Sequence, residues 1–521
     1  MKIKKIIIPL LFAVILSYSC DKNFGDININ PLRETFIEPV YQLNSTQIIG
    51  LNMLQYESTI IQQAQILIGG AEEAGNRNSN INSQAGNHFN TLYGNQIKNL
   101  VDIIRVTKDD PNQSNIYNMA RIMKAYCFML LVDRYADVPY SEAGLAYIAD
   151  IRFPKYDKQE EIYDDIIKEL TEAVNALDAG KDRVNEMYFG GDIARWKKFG
   201  NSVLLRVGMR YTKIDGNKAK TIVQRATDPA RGGVMTSNND NVVLKCNTTQ
   251  TNPSTGFING SVRQNWHVGE PFVNFMKNNK DPRLQYIAAL YPNPTAANGG
   301  GTPNTNPEDQ VGCPYGYNEN NVSTAPGFPG IISQGVFKYS QFNRSTVGRT
   351  DSWLYYVTYS QTSLLLAEAR FREYITTGTV KDYYEAGIKA HLTQLDMWAT
   401  TNGGASPITA ALQDAYLLQP EIAFNPNTAL KQINEQYWVS CLFIWIEAYA
   451  NWRRSGYPEL KPLNYPGEDE YVSIANGGSG FIQRLPYPQN EYIINEKHVR
   501  EAAARIGGDN MGTRVFWDKK M

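Results

Sequence analysis

Histidine is almost missing from this chain: His88, His267, His391 and His498 are the only four in 521 residues, and each stands far from the next. There is no H-E-x-x-H helix, G-x-S-x-G elbow, Walker A loop, G-x-G-x-x-G turn or EF-hand loop. These absences remove the usual signatures of zinc proteases, serine hydrolases, nucleotide-binding enzymes and calcium sensors. A charge excess is missing as well, with 51 basic residues against 52 acidic ones. Nucleic-acid-binding proteins carry a clustered basic surplus, so no nucleic-acid partner is expected. No long apolar run follows the first sixteen residues, and no membrane-spanning helix is expected. Cysteine is scarce. Cys127 and Cys441 fall on the apolar faces of predicted helices and read as small core residues. Cys246 and Cys313 lie in loop-rich sequence, where a disulfide between them stays open.

Acidic side chains do occur in pairs, at Glu72-Glu73, Asp109-Asp110, Glu160-Glu161 and Asp164-Asp165. Adjacent residues of a helix point in different directions, so these pairs read as solvated faces. Glycoside hydrolysis needs two carboxylates facing each other across a bond. The expectation is a protein that is not an enzyme and holds no cofactor, with a structural Ca2+ left open.

What is present begins at the N-terminus. Lys2, Lys4 and Lys5 precede an apolar run from Ile6 to Leu16, which is shorter than the roughly 20 residues a span requires. This reads as a secretory signal over residues 1–19. Its exit, Leu16-Ser17-Tyr18-Ser19-Cys20, resembles the lipobox of bacterial lipoproteins, although Ser17 stands where an aliphatic residue is usual. The resemblance makes Cys20 the lipidated first residue of the mature protein. Residues 20–44 read as an extended tail, since Asn30-Pro31 and Glu38-Pro39 discourage helix.

Residues 45–521 read as one domain. Helical periodicity marks 45–68, 115–136, 158–178, 194–212, 361–375 and 428–452. Asp157 with Glu160 resembles a capping box. Between these blocks, 228–350 is dense in Gly, Pro, Asn and Thr, with short β-like pieces at 241–245 and 335–339. The fold class is mainly α: a scaffold of tetratricopeptide-like helix pairs carrying a loop-rich insertion, without a clean 34-residue repeat.

Aromatic residues are abundant, with 32 Tyr, 19 Phe and 8 Trp. Sugar rings stack their C–H faces on such side chains and hydrogen-bond to amides and guanidiniums nearby, the general make-up of a ligand site. Loops carry binding residues more often than scaffolds do. The candidates are therefore Asn76, Arg77 and Asn78; Asn265 with Trp266; Tyr291, Tyr315 and Tyr317; and Trp353. Trp196, Trp438, Trp445 and Trp452 sit on predicted helices and read as core.

Several stretches resemble the SusD/RagB family of surface lipoproteins, in particular its SusD-like branch. They are Asp21 to Asn28, Asp133 to Ala143, Pro154 to Asp157 followed by Ile162-Tyr163, and Ala194 to Ser202 with Leu205-Arg206. Gly200 replaces the family's alanine there. Further on come Ser363 to Arg370, Glu447 to Pro458, Arg484 to Pro488 with Glu491 and Asn495, and Val515 to Asp518. These matching residues read as structural, with Arg453, Arg454 and Arg484 serving helix ends and carboxylates. The family's ligand contacts lie in variable loops, so none carries over by motif.

The resemblance implies an outer-membrane lipoprotein facing outward and paired with a SusC-like TonB-dependent transporter. It implies a lid that captures an oligosaccharide, or in some members a peptide, and closes it over the barrel. A surface glycoside hydrolase and a purely structural lipoprotein are the remaining alternatives.

Overall fold

The computed structural model describes residues 37–50, 55–69, 75–80, 85–398 and 406–519. The signal segment, Cys20 and the chain to residue 36 lie outside the described residues. Among those described, no helix is long and apolar enough to cross a membrane.

The helical scaffold is built from α1 (Pro39–Thr46), α2 (Gln55–Ile60), α3 (Lys98–Thr107), α4 (Ser114–Tyr135), α5 (Gln159–Ala176), α6 (Ile193–Arg210) and α7 (Gly216–Thr227). It continues with α8 (Tyr359–Phe371), α9 (Val380–Trp398), α10 (Ala429–Ser440), α11 (Trp445–Ser455) and α12 (Glu496–Arg505). Consecutive helices pack as pairs, α3 on α4, α6 on α7, α8 on α9 and α10 on α11, while α5 bridges α4 and α6. The tetratricopeptide-like reading therefore holds. Buried residues lie all around α4, from Asn115 to Tyr135, which makes it the axial helix of the scaffold. The Asp192 side chain caps α6, Thr358 and Gln361 form a capping box on α8, and Gly456 ends α11 at φ 82°.

Several expectations are corrected, and the open question of the disulfide is answered. The segment 45–68 is not one helix. Pro39 occupies the first turn of α1, where its missing N–H costs nothing, so the chain is already helical within the expected tail. After α2 the backbone turns at Gln62 (φ 58°) into a buried strand, β1 (Ala64–Ile66), whose sheet partner overrides the local helical pattern. The 428–452 block is two helices, broken at residues 441–444 with Phe443 at φ 61°. Asp157 does not cap α5; its carboxylate instead accepts the backbone N–H groups of Tyr140 and Ser141. Cys246 and Cys313 are both buried free thiols, so the disulfide does not form.

Charged family-like residues interlock inside this scaffold. Arg210 bridges Asp133 (3.2 Å) and Glu447 (2.7 Å), and Arg134 pairs with Glu57. Arg454 grips Glu368 through two nitrogens at 2.6 and 2.7 Å. Burial alone would raise the Glu368 carboxyl, but the Arg454 and Arg372 guanidiniums hold it at about 2. Arg453 donates to the carbonyls of Gln483 and Asp133, and Arg484 pairs with Asp509. Their structural reading is correct.

The remaining strands are β2 (Val138–Pro139), β3 (Tyr156–Asp157), β4 (Val242–Leu244), β5 (Trp266–Val268), β6 (Ala288–Ala289), β7 (Ile331–Ser333), β8 (Val336–Phe337), β9 (Gln341–Phe342) and β10 (Leu354–Val357). One four-stranded sheet runs β1-β5-β9-β6 and ties the N-terminal strand to the insertion. The insertion also holds a small core of its own, with Leu67, Cys313, Val322, Phe337 and Tyr339 buried together and Tyr317 and Phe328 packed against them.

Candidate functional site

Three segments far apart in sequence meet beside that small core: 75–80, 315–321 and 463–469. Two asparagines hold them. The Asn76 amide donates to the carbonyls of Ile66 (3.2 Å) and Tyr317 (2.9 Å), and its oxygen accepts the Gly316 N–H at 2.8 Å. The Asn78 amide donates to Gly480 O (2.8 Å) and Glu468 (3.2 Å), while its oxygen accepts the Tyr315 hydroxyl at 3.3 Å. Asn78 adopts φ 52°, a left-handed conformation that asparagine tolerates. Both side chains are fully buried, so Asn76 and Asn78 brace the site from behind and do not face a ligand.

What they brace is a half-buried rim. The Arg77 guanidinium lies 5.7 Å from the centre of the Tyr465 ring, and the Tyr465 hydroxyl accepts from Asn318 at 2.7 Å. Tyr315, Tyr317 and Tyr465 are partly exposed, next to the exposed Glu319, Asn320, Pro466 and Gly467. Gly316 sits at φ 85°, and a Cβ there would come within 2.5 Å of the Leu463 side chain. The close turn sets Tyr315 and Tyr317 on either side of it.

Of the other candidates, Trp266 is core. It is buried in β5 with its ring centre 3.9 Å from that of Phe257, inside an aromatic chain that runs on to Trp445. Asn265 is half-buried at the end of a short 3-10 turn. Trp353 lies under Lys245, at 5.2 Å, and lines a cavity of about 50 Å3 together with His391 and Phe443. Tyr291 is buried, stacked on the Arg344 guanidinium at 3.9 Å, and lines a larger cavity of about 340 Å3 together with Phe337 and Tyr339 of the small core. The structure thus brings Arg77, Tyr315 and Tyr317 together and leaves Asn265, Trp266, Tyr291 and Trp353 elsewhere.

Tyr465 and Asn318 escaped the sequence reading. The Asn-Tyr-Pro-Gly turn at 464–467 is the one local signal for Tyr465, an aromatic in a tight loop. Nothing local joins it to Arg77, nearly four hundred residues away.

The chemistry offered is stacking and hydrogen bonding. Burial, with the nearby Glu468 charge, pushes the Tyr315 phenol up, so its proton stays in place. Burial depresses His267 to about 4 and His88 and His391 well below their usual range, which leaves them neutral near pH 7. Among the described residues no three His, Cys, Asp or Glu side chains converge as metal ligands.

The SusD-like family model, described as starch-binding and associating with the outer membrane, matches residues 32–488. A solved chitin-binding protein is 31% identical with a TM-score of 0.76, over 93% of this chain and 100% of its own. A Bacteroidetes AC2a SusD-like protein is 27% identical with a TM-score of 0.77, over 93% of this chain and 100% of its own. A chitin-binding SusD homologue from Flavobacterium johnsoniae shares the fold at 22% identity and a TM-score of 0.73, over 92% of this chain and 98% of its own. Among curated proteins none matches the chain.

Proposed function

The chain belongs to the SusD-like family, whose members are associated with the outer membrane and nutrient binding, and from that premise we propose that it captures an oligosaccharide at the Arg77–Tyr465 rim. The observation that carries the proposal is the convergence of Arg77, Tyr315, Tyr317 and Tyr465 from three distant segments onto one half-buried surface. In this reading the tyrosine rings would stack on sugar C–H surfaces, and the Arg77 guanidinium and the Asn318 amide would hydrogen-bond to sugar hydroxyls. The chitin-binding relative makes a β-linked amino-sugar oligomer the first ligand to try.

The same reading makes the protein a non-enzymatic lid. Cys20 would carry the lipid that ties it to the outer membrane facing outward, and a SusC-like TonB-dependent transporter would receive the captured ligand. The absence of a long apolar helix among the described residues is consistent with attachment by lipid alone.

A peptide ligand is the second reading, and one feature favours it. Among the described residues strand β7 pairs only with β8, and all three of its residues are exposed. Such an edge can accept an extended peptide as an added strand.

A glycan array probed with the mature protein, run beside a peptide library, separates the two. Binding to defined oligosaccharides with no peptide retained is the expected result. Peptides retained with no sugar bound would overturn the glycan reading.

A further inference from the structure

The cavity of about 50 Å3 lies where the break between α10 and α11 meets α9 and β10. Leu442 and Phe443 line it from the break, His391, Gln394 and Leu395 from α9, and Trp353 from the residue before β10. Phe443 holds φ 61°, a left-handed conformation uncommon for an aromatic residue, and such positions gather at ligand sites.

Two buried side chains in this lining keep hydrogen-bond donors to spare. His391 is 2% exposed, and its Nδ1 lies 2.9 Å from a guanidinium nitrogen of Arg283. A guanidinium only donates, so Nδ1 accepts and the neutral ring carries its proton on Nε2. Nε2 makes no hydrogen bond among the described residues, yet unlike both nitrogens of His88 it is not sealed from solvent. The cavity that the ring lines is the space open to it. Gln394 is 4% exposed; its oxygen accepts from Asn241 at 3.4 Å, while its amide nitrogen donates to nothing among the described residues. Three residues apart on α9, His391 and Gln394 share one helix face.

Charge and size narrow the occupant. No Asp, Glu, Lys or Arg is among the described residues lining the cavity, and Asp281 neutralises the Arg283 charge behind His391. A carboxylate would enter without a counter-charge, which is costly away from water. A neutral acceptor meets the two donors without that cost. A cavity needs roughly 10–15 Å3 for each water-sized occupant, so this one has room for about four heavy atoms. That is too little for a sugar ring and matches an acetamido group.

We propose that this cavity is a second binding site, taking the acetamido group of an N-acetylated sugar. The carbonyl oxygen would accept from His391 Nε2–H with the Gln394 amide beside it, and the methyl would rest on Leu395 and Phe443. The pyranose ring would stay outside, against the half-buried Trp353. The proposal rests on the saccharide reading above but uses none of the rim residues.

With only four histidines in the chain, the ring can be observed directly. In the mature protein labelled with 13C at histidine Cε1, chitotetraose should shift the His391 signal to saturation. Cellotetraose, which has a hydroxyl in place of each acetamido group, should leave it in place. The shift should persist in Arg77→Ala, at the rim, and vanish in Leu395→Phe, which adds bulk at a half-buried position of α9. Should Leu395→Phe fail to fold, wild type and Arg77→Ala still decide the matter. A shift that Arg77→Ala abolishes, that folded Leu395→Phe retains or that cellotetraose produces equally overturns the inference. Any saccharide bound by calorimetry while chitotetraose leaves the wild-type His391 signal unmoved overturns it and leaves the rim reading intact. No saccharide bound by calorimetry or on the glycan array overturns both.

Discussion

Glu435, on α10, carries its carboxyl at 13% exposure with Lys431 four ångströms away. Burial pushes it up to about 7, and Lys431 only partly offsets this. In an open chain the group ionises near 4.5. As pH rises from there, the unfolded state loses its proton first, so the group's cost to folding grows and is complete above pH 7. Glu435→Gln should therefore stabilise the protein at pH 8 by on the order of 1–3 kcal/mol and change little near pH 4. Denaturant titrations at the two pH values check this; an equal effect at both would contradict it. At the residue scale, sequence was a mixed guide. Trp196, Trp438, Trp445 and Trp452 are core as their helical spacing implies. Asn76 and Trp266 misled because an amide or an indole in a loop can face a ligand or a neighbouring strand, and only the fold decides which.

The same limit appears among the elements. The α4, α5 and α6 spans were legible because their apolar stripes repeat over four or more turns. The break between α10 and α11 was not, since the stripe continues in register across it while Phe443 turns the backbone. Strand β1 was hidden because its pairing partner, β5, lies two hundred residues on. The turn at Gly316 joins element to function. Gly316→Ala must place a Cβ at φ 85° against Leu463, at a cost of about 1–2 kcal/mol, and displace Tyr315 and Tyr317. A small loss of melting temperature together with a clear loss of saccharide affinity is expected. Unchanged affinity would mean that the two tyrosines do not position the ligand.

For the whole molecule, family-like residues far apart in the chain, among them Arg134, Glu368, Glu447 and Arg454, are held in buried ion pairs, a structural role that fits their recognisable pattern. The rim could not be read in the same way, because its parts are separated by 240 residues between Asn76 and Gly316 and by 390 between Asn78 and Glu468. The segments that carry the exposed Phe153 and Ile494 (56% and 57%) are held together, since Tyr156 bonds Glu491 and Asn495 bonds the Pro154 carbonyl. Exposed apolar groups on adjoining segments suit a protein interface. Phe153→Ser with Ile494→Ser should reduce recovery of a TonB-dependent barrel from solubilised outer membranes without lowering saccharide affinity; undiminished recovery would place the contact elsewhere. Cys20→Ala should release the protein from the membrane, and persistent attachment would exclude the lipid anchor.

The central claim is that the Arg77–Tyr465 rim is where saccharide binds. Calorimetry of the best array ligand against wild type, Arg77→Ala and Tyr317→Ala tests it directly, with melting temperatures recorded alongside. The account predicts at least about tenfold weaker binding in each variant, as for the loss of a charged hydrogen bond or a stacking ring, with the fold retained. Affinity equal to wild type in both folded variants would contradict it.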